Sequence, residues 1–135
     1  MNCIFCKIVK GEIPSYKIYE NSRILAFLDI APVNKGHALI IPKDHYENIY
    51  DIPENLLKEM ISAVKKISMA IKKSVDADGI SIAQSNESSA GQVVPHLHFH
   101  IMPRFRNDGL KLWPQGSYDE GEMQEYMDKI KREVQ

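Results

Sequence analysis

Five histidines occur in a chain of 135 residues, and three of them, His96, His98 and His100, take alternate positions in "PHLHFHIMPR" (95–104). The other two are His37 and His45. Imidazole has an unperturbed pKa of about 6.5, so near neutrality it can be nucleophile, acid or base. It also ligates zinc. The row could therefore be a catalytic series, a metal site, or a polar outward face with no chemistry. On a strand, side chains alternate between faces, so the three histidines share one face while Leu97, Phe99 and Ile101 share the other. Alternate side chains lie roughly 7 Å apart along a strand, which suits neighbouring imidazoles around one phosphate-sized group but is loose for three ligands on one zinc. Three of five histidines on one face is more than a bland polar surface requires. The preceding "SSAGQVV" (88–94) is small and flexible, with Gly91 allowing close backbone approach and amides able to cradle an anion. Together these features point to phosphate chemistry.

A second set of reactive groups is the pair Cys3 and Cys6, spaced C-x-x-C. In a cytosolic chain this spacing favours metal binding or redox work over a structural disulfide. A thioredoxin-type motif follows a strand and opens a helix, and no strand is read before this pair. Two small buried thiols without chemistry are the other reading.

The elements that must position these groups follow from apolar periodicity. "RILAFLDIAP" (Arg23 to Pro32) and "HALIIP" (His37 to Pro42) read as strands ending at proline, with "VNKG" as the turn and antiparallel pairing, since no helix fits the gap. From Asp51 to Val75 the period becomes helical: Leu57, Met60, Ile61, Val64, Ile67, Ile71 and Val75 recur on one face with lysines opposite. Asp51 is expected to cap this helix, with Pro53 in its first turn and Glu54 completing a box-like arrangement. "GISIAQS" (Gly79 to Ser85) reads as a strand, "NESSAGQ" (Asn86 to Gln92) as a loop, and "HLHFHIM" as the next strand. Met123, Tyr126, Met127, Ile130 and Val134 share one helical face, so Ser117 to Val134 reads as a C-terminal helix.

Composition bounds the partners. The chain is 44% hydrophobic and 26% charged, as for a soluble globular domain spanning 1–135. A formal net charge of -1 supplies no basic field for a nucleic-acid duplex. No run approaches a membrane span, and "MNCIFCKIVKGEIP" lacks the apolar core of a signal peptide, so a cytoplasmic protein is expected. A domain of this size gains burial by docking onto a second copy.

With these residues in view, the sequence resembles the histidine triad (HIT) superfamily, in particular its prokaryotic Hint-like branch. The family pattern H-x-H-x-H plus two apolar residues stands here as His96-Leu97-His98-Phe99-His100-Ile101-Met102. "CIFCKIVKGEIPS", "AFLDIAPVNKGHALIIPKDH" and "NESSAGQVVPHLHFHIMPR" match the family's start, middle and active-site segment, in order. The resemblance implies an α+β fold: an antiparallel sheet of about five strands with two helices. It also implies a homodimer with a continuous larger sheet, joined through the long helix and a neighbouring strand.

The implied activity is hydrolysis or transfer at the α-phosphate of purine nucleotide conjugates, AMP or adenosine phosphoramidate being typical ligands. His98 matches the nucleophile, which forms a nucleotidyl-histidine intermediate that water then resolves. A main-chain carbonyl of the triad segment accepts its second ring proton in similar proteins. His100 matches the donor to the phosphate and His37 a supporting member of the proton network. Asp29 matches the residue that takes the ribose hydroxyls. Phe5, Ile8, Phe27 and Ile30 match the walls of the base pocket, although by residue type alone all four read as core. Asn86, Gly91 and Gln92 match positions that hold phosphate and leaving group. At Val93 the chain departs from the serine or threonine of many Hint-type members: its amide can reach phosphate, but no hydroxyl can assist the leaving group. Members that keep the cysteine pair often bind structural zinc, and the matching ligands are Cys3, Cys6, His45 and His96, a closed two-sulfur, two-nitrogen set. Alternatives are a dinucleoside polyphosphate hydrolase, a nucleotide-binding partner protein with incidental catalysis, and a hydrolase with zinc at the triad itself.

Overall fold

The computed structural model describes residues 2–134. Its elements run α1 (Ile4–Val9), β1 (Lys17–Glu20), β2 (Ile24–Leu28), β3 (Ala38–Pro42), α2 (Glu54–Ser74), β4 (Gly79–Ala83), β5 (Phe99–Arg104) and α3 (Glu122–Val134), with one 3-10 turn at Ser88–Ala90. The strands form one antiparallel sheet of order β1-β2-β3-β5-β4. This is the α+β arrangement expected, with one helix more than anticipated.

The central strands are apolar on both faces because both faces are covered. Ile24, Ala26, Ala38, Ile40, Leu97, Phe99 and Ile101 pack against Leu56, Met60, Val64, Ile67 and Ile71 of α2. Leu25, Phe27, Leu39 and Ile41 point the other way, onto Cys3, Phe5 and Ile8 of the N-terminal segment. The sheet thus separates a large core from a smaller one, and the smaller one adjoins the histidines. No helix among the described residues is long and apolar enough to cross a membrane.

Several boundaries differ from expectation for physical reasons. The ladder of β5 begins at Phe99, so His96 and His98 precede the strand. Beyond the Ile40–Phe99 pair the Leu97 amide turns to the Tyr46 carbonyl, at 2.7 Å, and Pro95 has no amide to offer. The alternation of faces nonetheless continues through Leu97. The first long strand stops at Leu28, because Asp29 accepts the Ala31 amide at 2.9 Å and turns the chain. Asp51 does not cap α2. Pro53 occupies that position without a side-chain cap, and the Asp51 carboxylate accepts the Glu47 and Asn48 amides in the approaching loop. α3 starts at Glu122, whose carboxylate reaches back to the Asp119 amide, and none of its residues is buried. Strand β1 and helix α1 were not anticipated: β1 is a largely exposed edge strand with charged ends, and six residues are too few to show a helical period.

Gly36 is required by the hairpin that delivers His37. Its φ is +102°, and a Cβ there would lie 3.2 Å from Val75 and 3.5 Å from Pro103.

Candidate functional site

The N-terminal segment brings the first cluster together. Cys3 precedes α1 and its sulfur accepts the Cys6 amide at 3.4 Å. Cys3 Sγ lies 3.4 Å from His96 Nδ1, Cys6 Sγ 3.4 Å from His45 Nδ1 and 3.6 Å from His96 Nδ1, and the two Nδ1 atoms are 3.2 Å apart. A tetrahedral ion with zinc's bond lengths would separate two nitrogens by about 3.3 Å and a nitrogen from a sulfur by about 3.6 Å. The four side chains therefore already lie near the edge lengths such an ion needs. His96 Nε2 donates to the Pro42 carbonyl at 2.9 Å, so its Nδ1 is unprotonated and faces the thiols. Among the described residues the group has four members and no fifth protein ligand, the closed set of a structural site.

The second cluster is a chain of hydrogen bonds whose direction can be read from its fixed ends. The Val33 amide donates to His37 Nδ1 at 3.1 Å, so the His37 proton is on Nε2. That Nε2–H donates to His100 Nδ1 at 2.9 Å, which places the His100 proton on its own Nε2. His98 Nδ1–H donates to the His96 carbonyl at 2.7 Å, leaving Nε2 with a bare lone pair. The rings of His98 and His100 lie 5.0 Å apart, close enough to address one phosphoryl group. The site thus pairs an unprotonated nitrogen with a donor beside it.

Burial supports the neutral forms. It lowers the pKa of His37, His96 and His98, and takes that of His100 down to about 4 with help from unfavourable charge interactions with His98 and His37. Asp29, whose Oδ2 lies 3.6 Å from His37 Nε2, opposes the shifts of His37, His98 and His100 without cancelling them. An uncharged row at neutral pH keeps the nucleophile available.

The remaining residues singled out from sequence divide into two sets. Phe5, Ile8 and Phe27 are buried in the smaller core. Phe5 meets His98 edge-on at 5.2 Å, His96 at 5.8 Å and Phe27 at 5.7 Å. Ile30 is 96% exposed, on the loop after Asp29. Asn86 is tied by its side chain to the Ile49 amide and to Gln84. Gln92 is buried, donating to the Glu47 carbonyl at 2.6 Å and accepting from the Glu87 amide at 2.7 Å, so its side chain braces the loop. The amides of Ala90, Gly91 and Gln92 are engaged by Glu87 and Ser88 carbonyls. The anion cradle expected across "SSAGQVV" therefore loses its three central amides and keeps those of Ser88, Ser89, Val93 and Val94. Val93 is 89% exposed.

What sequence reasoning missed is main chain: the Pro42 carbonyl that orients His96 and the Val33 amide that starts the relay. Residue type carries no signal for either. Two cavities, of about 400 Å3 beside Cys3 and His45 and about 440 Å3 between β1 and α2, are lined by neither His98 nor His100.

The chain was compared with known proteins. The model of the HIT domain family matches residues 10–107. "Protein hit" of Bacillus subtilis is 50% identical over 110 residues, covering 81% of this chain and 76% of the relative. An adenosine 5'-monophosphoramidase of Candida albicans is 37% identical over 140 residues, covering 98% and 91%. Among solved structures, a member of the HIT family from Bacillus subtilis superposes with a TM-score of 0.90 at 42% identity, covering 98% of this chain and 96% of that one. A Zn-bound histidine triad family protein from Mycobacterium smegmatis superposes with a TM-score of 0.78 at 36% identity, covering 87% and 85%. With the triad geometry above and a family match over most of its length, this chain belongs to the HIT domain family.

Proposed function

We propose that the protein is a nucleotide hydrolase that acts at the α-phosphate of purine nucleotide conjugates, adenosine phosphoramidate being the model substrate. The observation that carries this reading is the pairing of tautomers: His98 Nε2 is bare because Nδ1–H is held by the His96 carbonyl, and the adjacent His100 is a donor. His98 Nε2 attacks phosphorus, and the bond from phosphorus to the leaving nitrogen breaks. His100 Nε2–H stabilises the charge on the phosphoryl oxygens, and the amine leaves with a proton that enters from solvent and is relayed through the histidines. Water then attacks the nucleotidyl-histidine and releases the nucleotide. The amides of Val93 and Val94 add donors at the phosphate. Asp29 takes the ribose hydroxyls, and Phe5, Ile8, Phe27 and Ile30 flank the base. The adenosine preference draws on the relative named a 5'-monophosphoramidase.

Zinc at Cys3, Cys6, His45 and His96 is part of this proposal, supported by the inter-ligand distances and by the Zn-bound neighbour. Its contribution when bound is to hold α1 against the sheet. The proposal also includes a homodimer. β4 is an unpaired sheet edge, and the exposed Ile82 of β4 and Ile61 of α2 would be covered by a second copy.

The test is to mix the protein with adenosine phosphoramidate and look for an acid-labile nucleotide adduct on His98. Adduct and turnover that survive mild chelation support the metal-free nucleophile. Turnover by His98→Ala at the parental rate would refute the mechanism. Binding of AMP with neither adduct nor turnover would make the protein a nucleotide binder.

A further inference from the structure

Phe5 joins the thiol cluster to the nucleophile row. It sits between Cys3 and Cys6 in sequence, and its ring contacts both His96 of the thiol cluster and His98 of the nucleophile row. α1 is only six residues long and has no side-chain cap other than Cys3 itself. Its attachment to the sheet includes the packing of Phe5, Ile8 and Val9 on the smaller core and the meeting of Cys3 and Cys6 with His96 and His45. A helix this short does not persist alone in water. The wall beside His98 is therefore held in place partly by apolar packing and partly by the two sulfurs.

Those sulfurs are also placed to react with each other. They belong to one C-x-x-C turn, the Cys6 amide already touches Cys3 Sγ, and both lie in a donor set whose atoms are all within 4.8 Å of one another. Both cysteines are free, Cys3 being buried and Cys6 partly exposed. A disulfide needs the sulfurs to close to about 2.05 Å, which turns both away from the imidazoles they now face.

We propose that Cys3 and Cys6 are an oxidant-responsive modification site, in which formation of a Cys3–Cys6 disulfide frees His45 and His96, loosens α1 and withdraws Phe5 from the nucleophile. The oxidant class is a peroxide. The partly exposed Cys6 sulfur attacks one peroxide oxygen and breaks the O–O bond, giving a sulfenic acid and one water. Cys3 sulfur then attacks Cys6 sulfur, the S–O bond breaks, and the hydroxide leaves as a second water with the thiol proton. The two sulfurs are oxidised by two electrons in total, and a dithiol reverses the change. The consequence for ligand affinity rests on the nucleotide-binding reading above; the consequence for α1 does not.

The experiment treats the full-length, zinc-supplemented protein with hydrogen peroxide and follows four readouts. Intact mass should fall by about 2 Da, and a chromogenic chelator should report zinc release. Amide hydrogen exchange across residues 4–9 should rise as the helix opens. AMP affinity should weaken about tenfold, the scale of losing the edge contacts of one aromatic ring. Dithiothreitol with added zinc should restore all four. Cys6→Ser cannot form the disulfide, so its exchange and AMP affinity should not respond to peroxide. A disulfide that leaves exchange at 4–9 and AMP affinity unchanged overturns the proposal, as does an equal response in Cys6→Ser or oxidation to sulfinic acid with no disulfide. If the reduced protein binds no AMP, the nucleotide reading fails, while exchange at 4–9 still judges the clasp.

Discussion

His100 offers a stringent quantitative test, because its proton economy is set by burial and can be read in stability as well as in activity. In the unfolded chain its pKa is near 6.5, and in the folded protein it is about 4. The folded state therefore binds its proton later than the unfolded state as pH falls. Above about pH 6.5 both states hold a neutral ring and His100 makes stability independent of pH. Between there and about pH 4 the unfolded state binds more protons, so stability drops as the medium is acidified. At pH 5 the unfolded ring is mostly charged and the folded ring mostly neutral, which corresponds to a loss of about 2 kcal/mol relative to pH 7.5. For a chain of this size that is a fall of about 8 °C in Tm. His100→Asn keeps an acceptor for His37 Nε2–H but cannot titrate. Urea unfolding of both proteins between pH 7.5 and 5 isolates the effect, because His37, His45, His96 and His98 are common to both. The wild type should lose about 2 kcal/mol more than the variant over this range. Parallel curves would show that His100 is not a buried neutral ring, and the tautomer chain would fall with it.

Three further outcomes follow. His98→Ala should lower turnover of adenosine phosphoramidate by about 10⁴-fold and abolish the acid-labile adduct, as expected when a nucleophile is removed from a working set. His37→Gln should reduce kcat about tenfold or more while leaving AMP affinity within about threefold, since it removes the hydrogen bond that fixes the His100 tautomer and no ligand contact; an unchanged kcat would separate His37 from the chemistry. Gly36→Ala should destabilise the protein by about 1–3 kcal/mol in urea unfolding, combining a φ of +102° with a Cβ 3.2 Å from Val75.

The sequence makes the reactive groups visible and leaves their wiring hidden. The alternation of His96, His98 and His100 with Leu97, Phe99 and Ile101 identifies two faces, and the two faces are found, even though the ladder covers only part of the run. The helical period from Leu57 to Ile71 identifies α2, because a long amphipathic repeat is robust to end effects. What is not legible lies in short or polar elements and in the main chain. β1 shows only four residues with charges at both ends, so its pairing with β2 decides its conformation and its own residues do not. Gln92 carries the side chain of a ligand-binding residue, yet the Glu47 carbonyl and Glu87 amide claim it, a competition no local pattern reveals. The division of labour among the histidines is set by main-chain groups, the distant Pro42 carbonyl for His96 and the nearby Val33 amide for His37.

That last arrangement has a consequence for how such a site can change over generations. The proton positions on His96, His98 and His37 are dictated by peptide groups; a carbonyl is present whatever residue occupies the position, and an amide N–H is present at every residue but proline. Any substitution at Val33 except proline, or one that keeps the backbone path at position 42, leaves the same amide or carbonyl in place. Ile30 and Val93, which the proposed function sets beside the base and the leaving group, have exposed side chains outside this wiring. Recognition can therefore drift by ordinary point mutation while the order of protons along the row is inherited with the backbone, so selection on substrate and selection on chemistry act on separate parts of the same short segment.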